Sequence, residues 1–258
     1  MSKKITPGSV YKQTLVFIHG WGMNKGIWNP LIKQIPKGFD IICLSLPGYA
    51  ETPFDRAVYS IESIAQQLSE VLKNKNNMIV IGWSLGGLVS IRMAEILGEK
   101  IKSLILVASS PCFVQRKGWQ LAVSEQVFKD FMTLLIDNID KTISRFIAIQ
   151  LLGSDISKES RKMMISSVKA YPNPEITILI GGLDILLSTD YREKLINLKQ
   201  TISFIGGSHD TLVPKAALSL LSEQCSAQLY LIDKAGHAPF VSHQQQFLSS
   251  LLEVVEAC

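Results

Sequence analysis

The sequence predicts an α/β fold built on a mostly parallel, doubly wound sheet with a helical insertion. Short apolar runs alternate along the chain with stretches of helical period, which is the pattern of strands joined by crossover helices. The runs are continuously hydrophobic, as strands buried on both faces require. The alternation stops between about residues 113 and 188, where helical period dominates and no clear strand is visible.

Each element follows from its local pattern. The candidate strands are residues 14–18, 41–46, 78–81, 104–108, 202–205 and 229–232. The candidate helices of the core are residues 60–72, 85–97, 214–222 and 240–255, and those of the insertion are residues 128–135, 139–152 and 157–170. Pro214 suits a first helical turn, where its missing N–H has no intrahelical partner. We therefore expect a core of residues 1–112 and 189–258, and a helical lid of residues 113–188.

Composition narrows the class of protein. The chain has 258 residues, of which 47% are hydrophobic and 19% charged, as in an ordinary globular protein with one large core. The 26 Lys and Arg exceed the 22 Asp and Glu by only four, which does not indicate a nucleic-acid partner. We expect a monomer.

Targeting and redox signals point to the cytoplasm. Residues 5–9 lack the apolar stretch that a secretory signal needs, and no run approaches the ~18 apolar residues of a membrane span. The cysteines are scattered without a C-x-x-C pair or metal-ligand spacing, so we expect reduced thiols, no metal and no cofactor. They are Cys43, Cys112, Cys225 and Cys258.

A nucleophile motif lies at the end of the third strand. The sequence GWSLG at residues 82–86 matches G-x-S-x-G in the context of strand, sharp turn and helix. Small residues must flank a serine held in strained backbone geometry between a strand and a helix. The motif alone is loose, and many strands end in a Gly/Ser turn, but this context favours Ser84 as a nucleophile.

A serine nucleophile needs a base and an orienting carboxylate. His237 follows the last strand, where a doubly wound sheet presents its catalytic loops, although a lone histidine is more often structural. Asp210 follows the fifth strand and gives the chain order Ser, Asp, His, although Asp also caps helices at such places. Asp184 and Asp190 are rival acids that lie at the exit from the insertion.

The loop after the first strand supplies the remaining part. An oxyanion hole needs two backbone N–H donors, which would come from Trp21 and Leu85. His19 in the same loop is then a structural hydrogen-bonding residue, and His209 and His243 receive no role.

Together these residues resemble the α/β-hydrolase superfamily and, over nearly the whole chain, its family of pimeloyl-[acyl-carrier protein] methyl ester carboxylesterases. The segments that carry the resemblance are HGWG at 19–22, GWSLGG at 82–87, ASSPCF at 108–113, GGLDIL at 181–186 and HAPF at 237–240. Trp83 within the elbow and the SSPCF stretch are the most particular. The resemblance implies hydrolysis of the methyl ester of pimeloyl-acyl-carrier protein (pimeloyl-ACP), with release of methanol, on the way to biotin.

The insertion also carries part of the resemblance. The segment RFIAIQ at residues 145–150 resembles the family's lid segment, which lies along the acyl chain. Without the resemblance, Phe146 and Ile149 fit equally well the core face of a lid helix. The full set of expected substrate contacts is Trp21, Ser84, Leu85, Phe146, Ile147, Ala148, Ile149, Gln150 and His237.

Six basic and two acidic residues between positions 141 and 169 leave a net charge of +4 there. The basic residues are Lys141, Arg145, Lys158, Arg161, Lys162 and Lys169, and the acidic ones are Asp155 and Glu159. Such charge is usually a solvated helix face, but an acyl-carrier protein is acidic and binds largely through charge. In the family, four arginines meet the carrier, and the resemblance places Lys141, Arg145, Lys158 and Lys162 there. Charge is kept, but bidentate Arg geometry is lost at three places.

Two other functions remain open at this stage. One is a broad-specificity short-chain carboxylesterase whose preference for the carrier has drifted. The other, from a different class, is a non-catalytic binding protein of the hydrolase fold. Epoxide hydrolases and haloalkane dehalogenases of this fold use Asp as the nucleophile, so Ser84 argues against both classes of enzyme.

Overall fold

The structure is a computed structural model that describes residues 13–54, 58–152, 154 and 156–258. Six parallel strands form one sheet in the order β2-β1-β3-β4-β5-β6. They are β1 (Thr14–Ile18), β2 (Asp40–Leu44), β3 (Met78–Trp83), β4 (Ile101–Val107), β5 (Thr201–Gly207) and β6 (Gln228–Ile232). All six predicted strands are confirmed. Residues 5–9 of the signal interpretation and Asp155 of the charge count lie outside the described residues.

The sheet is buried on both faces by helices, as its hydrophobic runs require. Along β1, Val16 and Ile18 face one apolar layer, whereas Leu15 and Phe17 face the other. The helices outside the insertion are α1 (Asn29–Ile32), α2 (Ile61–Leu72), α3 (Leu85–Leu97), α8 (Arg192–Ile196), α9 (Lys215–Gln224), α10 (Pro239–Ser242) and α11 (Gln244–Ala257). None of the helices in the described part of the chain is long and apolar enough to cross a membrane.

Several predicted boundaries differ from the structure, and three of the differences have a clear local reason. The second strand ends at Leu44, before Leu46, whose amide donates to His19 Nε2 at 3.0 Å instead of joining the ladder. Pro214 precedes α9 as its N-cap, with extended ψ of 144°. The helix predicted at 240–255 is interrupted at His243, whose φ of −129° is not helical, so α10 and α11 are separate.

The described residues between positions 113 and 188, the predicted insertion, form four helices, and none of these residues joins the sheet. They are α4 (Glu125–Asp137), α5 (Ile139–Gln150), α6 (Lys158–Lys169) and α7 (Ile176–Ser188). The Asn138 and Ser157 side chains cap α5 and α6 by accepting backbone N–H bonds. The sequence does not predict α7 as a separate helix. Two glycines interrupt its pattern, and its apolar residues occur on all sides of the helix, so no polar stripe marks a helical period.

The two ends of the insertion lie close together. The Tyr191 amide donates to the Pro111 carbonyl at 2.8 Å, so the chain leaves and re-enters the core at one place. Arg116 donates to the Leu187 carbonyl at 2.5 Å and pairs with Glu125 at 3.3 Å. The Arg116 contacts therefore link the start of this segment to its end and to α4, next to the point where the chain re-enters the core.

Candidate active site

Ser84 occupies a sharp turn between β3 and α3. Its φ of 54° and ψ of −119° lie outside the regions that L-residues ordinarily adopt. Such a conformation costs about 1–3 kcal/mol and persists only where the surroundings impose it. The turn is fixed on both sides, because the Ser84 amide donates to the Val107 carbonyl and the Ser84 carbonyl accepts from Ser109 Oγ at 2.7 Å.

The glycines around Ser84 are required by close backbone approach. A Cβ on Gly86 would lie 2.5 Å from the Ile18 carbonyl oxygen and 2.6 Å from that of His19. A Cβ on Gly82 would lie 2.6 Å from the Gly86 carbonyl oxygen. Helix α3 can therefore reach β1 only if these positions lack side chains.

The structure brings together His237 and Asp210. His237 Nδ1 lies 2.8 Å from Asp210 Oδ2, and both side chains are almost fully buried. The other carboxylate oxygen, Oδ1, accepts the amides of Leu212 at 2.8 Å and Val213 at 3.0 Å. The carboxylate thus favours the imidazole tautomer with the proton on Nδ1.

His237 Nε2 is the ring nitrogen left for chemistry. It is buried, and no hydrogen-bond partner for it exists among the described residues. It therefore forms no hydrogen bond to Ser84 in this structure. Of the rival acids, Asp184 is exposed and Asp190 is held by Arg192 at 2.7 Å.

The amides expected to form an oxyanion hole have no partners in the described part of the chain. Leu85 is the first residue of α3, so its N–H has no intrahelical acceptor. Trp21 is fixed by its indole, which donates to the Leu179 carbonyl at 2.8 Å. The Trp21 ring also packs edge-on against Phe146, with centroids 4.8 Å apart, and against Phe131 at 5.5 Å. The insertion therefore supports the loop that carries Trp21.

An apolar cavity opens at Ser84 beneath α4, α5 and α7. It is lined by Ser84, Phe113, Val123, Val127, Phe128, Phe131, Phe146, Ile149, Leu183, Leu186 and Leu212. Ser84 is the one polar residue in this lining, so the cavity suits a neutral, apolar group. Sequence reasoning missed the contributions of α4 and α7. The sequence shows that residues 128–135 have an apolar face, but it does not show that this face points into the cavity.

Two of the five lid residues expected to contact substrate, Phe146 and Ile149, line the cavity. Ile147 is half-buried against the apolar layers on both faces of the sheet, and Ala148 is exposed. Gln150 is buried, and its side-chain amide has no hydrogen-bond partner among the residues that the structure describes. Its backbone carbonyl accepts the His237 amide at 3.1 Å. The end of α5 is therefore in direct contact with the loop that carries His237.

The four cations aligned with a docking surface lie on α5 and α6. Lys141, Arg145, Lys158 and Lys162 are all exposed. Within the described residues, none of them forms a salt bridge. The same part of the chain contains no group of three His, Cys, Asp or Glu side chains that could hold a metal ion.

Comparison with known proteins now identifies the family. A family profile described as an alpha/beta hydrolase fold matches residues 13–244. The chain belongs to the α/β-hydrolase family. The fold predicted from the sequence is thereby confirmed.

Relatives within the α/β-hydrolase family cover nearly the whole chain. It is 37% identical over 236 residues to a pimeloyl-[acyl-carrier protein] methyl ester esterase of Aeromonas salmonicida, covering 91% of this chain and 92% of that protein. A protein of the same name from Salmonella typhimurium is 34% identical over 240 residues, covering 92% of each.

Solved structures of low identity show the shared α/β-hydrolase fold. An esterase from Exiguobacterium antarcticum matches with a TM-score of 0.85 and 18% identity, over 95% of this chain and 92% of that chain. A bromoperoxidase from Bacillus anthracis matches with a TM-score of 0.86 and 17% identity, over the same shares.

The close approach of α3 to β1 makes Gly86→Ala a test of the elbow. Because the added Cβ would meet two backbone carbonyl oxygens, we expect a loss of about 1–3 kcal/mol in the free energy of unfolding. Displacement of Ser84 should abolish hydrolysis of p-nitrophenyl butyrate. Urea unfolding and initial rates measure the two effects.

The control for this variant is Gly118→Ala. Gly118 has a φ of 72° but no atom within 4 Å of an added Cβ, so only backbone strain is expected and activity should remain. A stable and fully active Gly86→Ala protein would contradict the role of the close approach.

His19 predicts a specific loss of stability in acid. Burial lowers its pKa from 6.5 to about 4, while Nδ1 lies 2.8 Å from the Gly20 carbonyl oxygen and Nε2 accepts the Leu46 amide. This engagement of both ring nitrogens confirms the structural role predicted for His19. The unfolded chain takes up a proton near pH 6.5 and the folded chain only near pH 4, so this stability is complete above pH 6.5.

Between pH 8 and pH 5, His19 should therefore reduce the free energy of unfolding by about 2 kcal/mol. Urea unfolding at each pH measures this loss. His19→Gln should flatten this part of the pH dependence, because the uncharged amide does not titrate. If the free energy of unfolding fell equally with pH in wild type and variant, His19 would not be the cause of the acid destabilisation.

Proposed function

We propose that this protein is a serine carboxylesterase that hydrolyses the methyl ester of pimeloyl-ACP, giving pimeloyl-ACP and methanol in biotin biosynthesis. The observation that carries the reaction type is Ser84, in a strained elbow beside an apolar cavity, with the buried His237–Asp210 pair. The substrate is inferred from relatives of 34–37% identity that are named pimeloyl-[acyl-carrier protein] methyl ester esterase.

The proposed reaction runs through an acyl-enzyme. Ser84 Oγ attacks the ester carbonyl carbon while His237 Nε2 takes its proton, and Asp210 stabilises the imidazolium. The Trp21 and Leu85 amides stabilise the oxyanion. His237 returns the proton to the departing methoxide, and a water activated by the same nitrogen then cleaves the acyl-enzyme.

The apolar lining explains a preference for the neutral methyl ester. Its walls, among them Phe146 and Ile149, offer no partner for a carboxylate. Burial of an unpaired charge is costly, so a free acid should bind poorly and the product should leave after hydrolysis. The other proposed substrate contacts are Trp21, Leu85, Ile147, Ala148, Gln150 and His237.

We propose that residues 113–188 form a lid that also docks the carrier. Positive charge for an acidic partner comes from four exposed residues that form no salt bridge with any described residue, namely Lys141, Arg145, Lys158 and Lys162. Every group in the proposed mechanism comes from one chain, in keeping with a monomer. The four free thiols support a reducing, cytoplasmic location.

Ser84→Ala is the first test of the mechanism. If Ser84 is the nucleophile, methanol release from pimeloyl-ACP methyl ester should fall by ~10³-fold or more. The matched control is Ser45→Ala, because Ser45 is also buried and its hydroxyl has no partner in the described part of the chain. Hydrolysis at wild-type rate by Ser84→Ala would rule out the assignment.

The same assay separates the alternatives by substrate. Turnover of p-nitrophenyl butyrate without turnover of the carrier-bound ester would leave a broad short-chain esterase. Absence of both activities, together with failure of a fluorophosphonate to label Ser84, would indicate a binding protein.

Charge reversal on α6 tests carrier docking. Lys158→Glu combined with Lys162→Glu should raise KM for the carrier-bound ester by about tenfold or more at low salt and leave p-nitrophenyl butyrate hydrolysis unchanged. The difference should shrink as salt screens the charges. Steady-state rates on the two substrates at two salt concentrations measure both effects.

The control pair is Lys33→Glu with Lys37→Glu, which has the same spacing and charge change outside the insertion. Both lysines are exposed. Equal losses in the two double variants, or equal losses on both substrates, would argue against a specific docking surface on α6.

A further inference from the structure

The backbone N–H and the backbone carbonyl of His237 are each held by a hydrogen bond. Its N–H donates to the Gln150 carbonyl at the end of α5, at 3.1 Å. Its carbonyl oxygen accepts a hydrogen bond from Trp83 Nε1 at 2.8 Å. Trp83 is the residue immediately before Ser84, so the element that carries the proposed nucleophile also contacts the main chain of the proposed base.

The Trp83 indole cannot reorient without repacking its surroundings. Trp83 is 1% exposed, and its ring packs edge-on against Phe240, with centroids 5.0 Å apart, and against Trp28 at 6.4 Å. The imidazole of His237 lies 5.9 Å from the same indole. The position of the donor N–H is therefore fixed by the aromatic packing between β3 and α10.

We propose that Trp83 is a positioning residue, which places His237 Nε2 relative to Ser84 through the hydrogen bond to the His237 carbonyl. This inference rests on the proposed esterase reaction, in which His237 serves Ser84. Asp210 fixes the tautomer of the imidazole and contacts its Nδ1. The hydrogen bond from Trp83 fixes the position of the backbone of the loop, and therefore the position of the ring. Trp83 does not line the cavity, so it should affect the chemical step and not the binding of a small ester.

Trp83→Phe is the direct test, because it removes the donor and keeps an aromatic ring. We expect kcat for p-nitrophenyl butyrate to fall by about tenfold or more, since small displacements of a catalytic group have effects of this size. KM should stay within about twofold of wild type, as for an interaction used in the transition state alone.

The chain supplies a matched control in Trp28→Phe. Trp28 belongs to the same aromatic cluster and is fully buried, but its Nε1 has no hydrogen-bond partner among the described residues. Trp28→Phe should lower the melting temperature by a similar amount, because it loses similar packing, and should keep kcat within about twofold of wild type. Equal loss of kcat in the two variants, or wild-type kcat in Trp83→Phe, would overturn the inference.

A spectroscopic signal separates this inference from the proposed function. The proton between His237 Nδ1 and Asp210 should give a downfield proton resonance. If Trp83 positions His237, this resonance should broaden in Trp83→Phe, because a mobile imidazole exchanges the proton with water faster, and stay sharp in Trp28→Phe. An equally sharp resonance in Trp83→Phe would count against positioning even if the wild type hydrolysed no ester. Conversely, a wild type in which fluorophosphonate does not label Ser84 would defeat the esterase proposal alone.

A smaller change keeps the test valid if Trp83→Phe does not fold. Trp83→3-benzothienylalanine replaces only the indole N–H by sulfur and preserves the ring shape. The same decrease of kcat at constant KM is expected. Wild-type kcat in this variant would overturn the inference, because the hydrogen bond is then the only interaction removed.

Discussion

The close approach of helix α3 to the sheet constrains the geometry of the whole site. Gly86 packs on the Ile18 and His19 carbonyls of the β1 end, and Gly87 packs on Ser109 after β4. These contacts bring together the loops that follow three adjacent strands. The strain at Ser84 is therefore maintained by the packing of a buried sheet, whose stabilisation far exceeds the few kcal/mol of an unfavourable φ.

The ends of β5 and β6 also allow a carboxylate and an imidazole to be buried side by side. Asp210 loses hydration in its buried position, but its oxygens accept two backbone amides and face the His237 ring. These bonds offset the cost of burying the carboxylate, and His237 Nε2 is left without a hydrogen-bond partner in the part of the chain that the structure describes. A buried, unpartnered nitrogen costs free energy in the resting protein. In the proposed reaction that cost is relieved when Nε2 accepts the Ser84 proton.

The sequence predicts the sheet and the elbow well because both rest on local chemistry. Continuous apolar runs of four or more residues marked five of the six strands, and only Ser203 interrupts the run at 202–205. The G-x-S-x-G spacing marked the turn at Ser84. The cavity was less predictable, because Phe131 and Leu183 reach Ser84 only after α4 and α7 fold back over the sheet. Likewise, no local pattern indicates that Trp83 donates to a carbonyl 154 residues away. Such contacts depend on tertiary packing and not on periodicity.

Helix α5 carries both kinds of interaction that the proposed substrate needs. Phe146 and Ile149 form part of the cavity wall, whereas Lys141 and Arg145 are exposed to solvent on the same helix. In the proposed complex, charge acts at long range and guides the carrier, and the apolar wall acts only after the acyl chain enters. Guidance depends on charge and little on the shape of the cation, so Lys in place of Arg preserves it. Discrimination among esters then depends on the cavity and on how firmly His237 is held beside it.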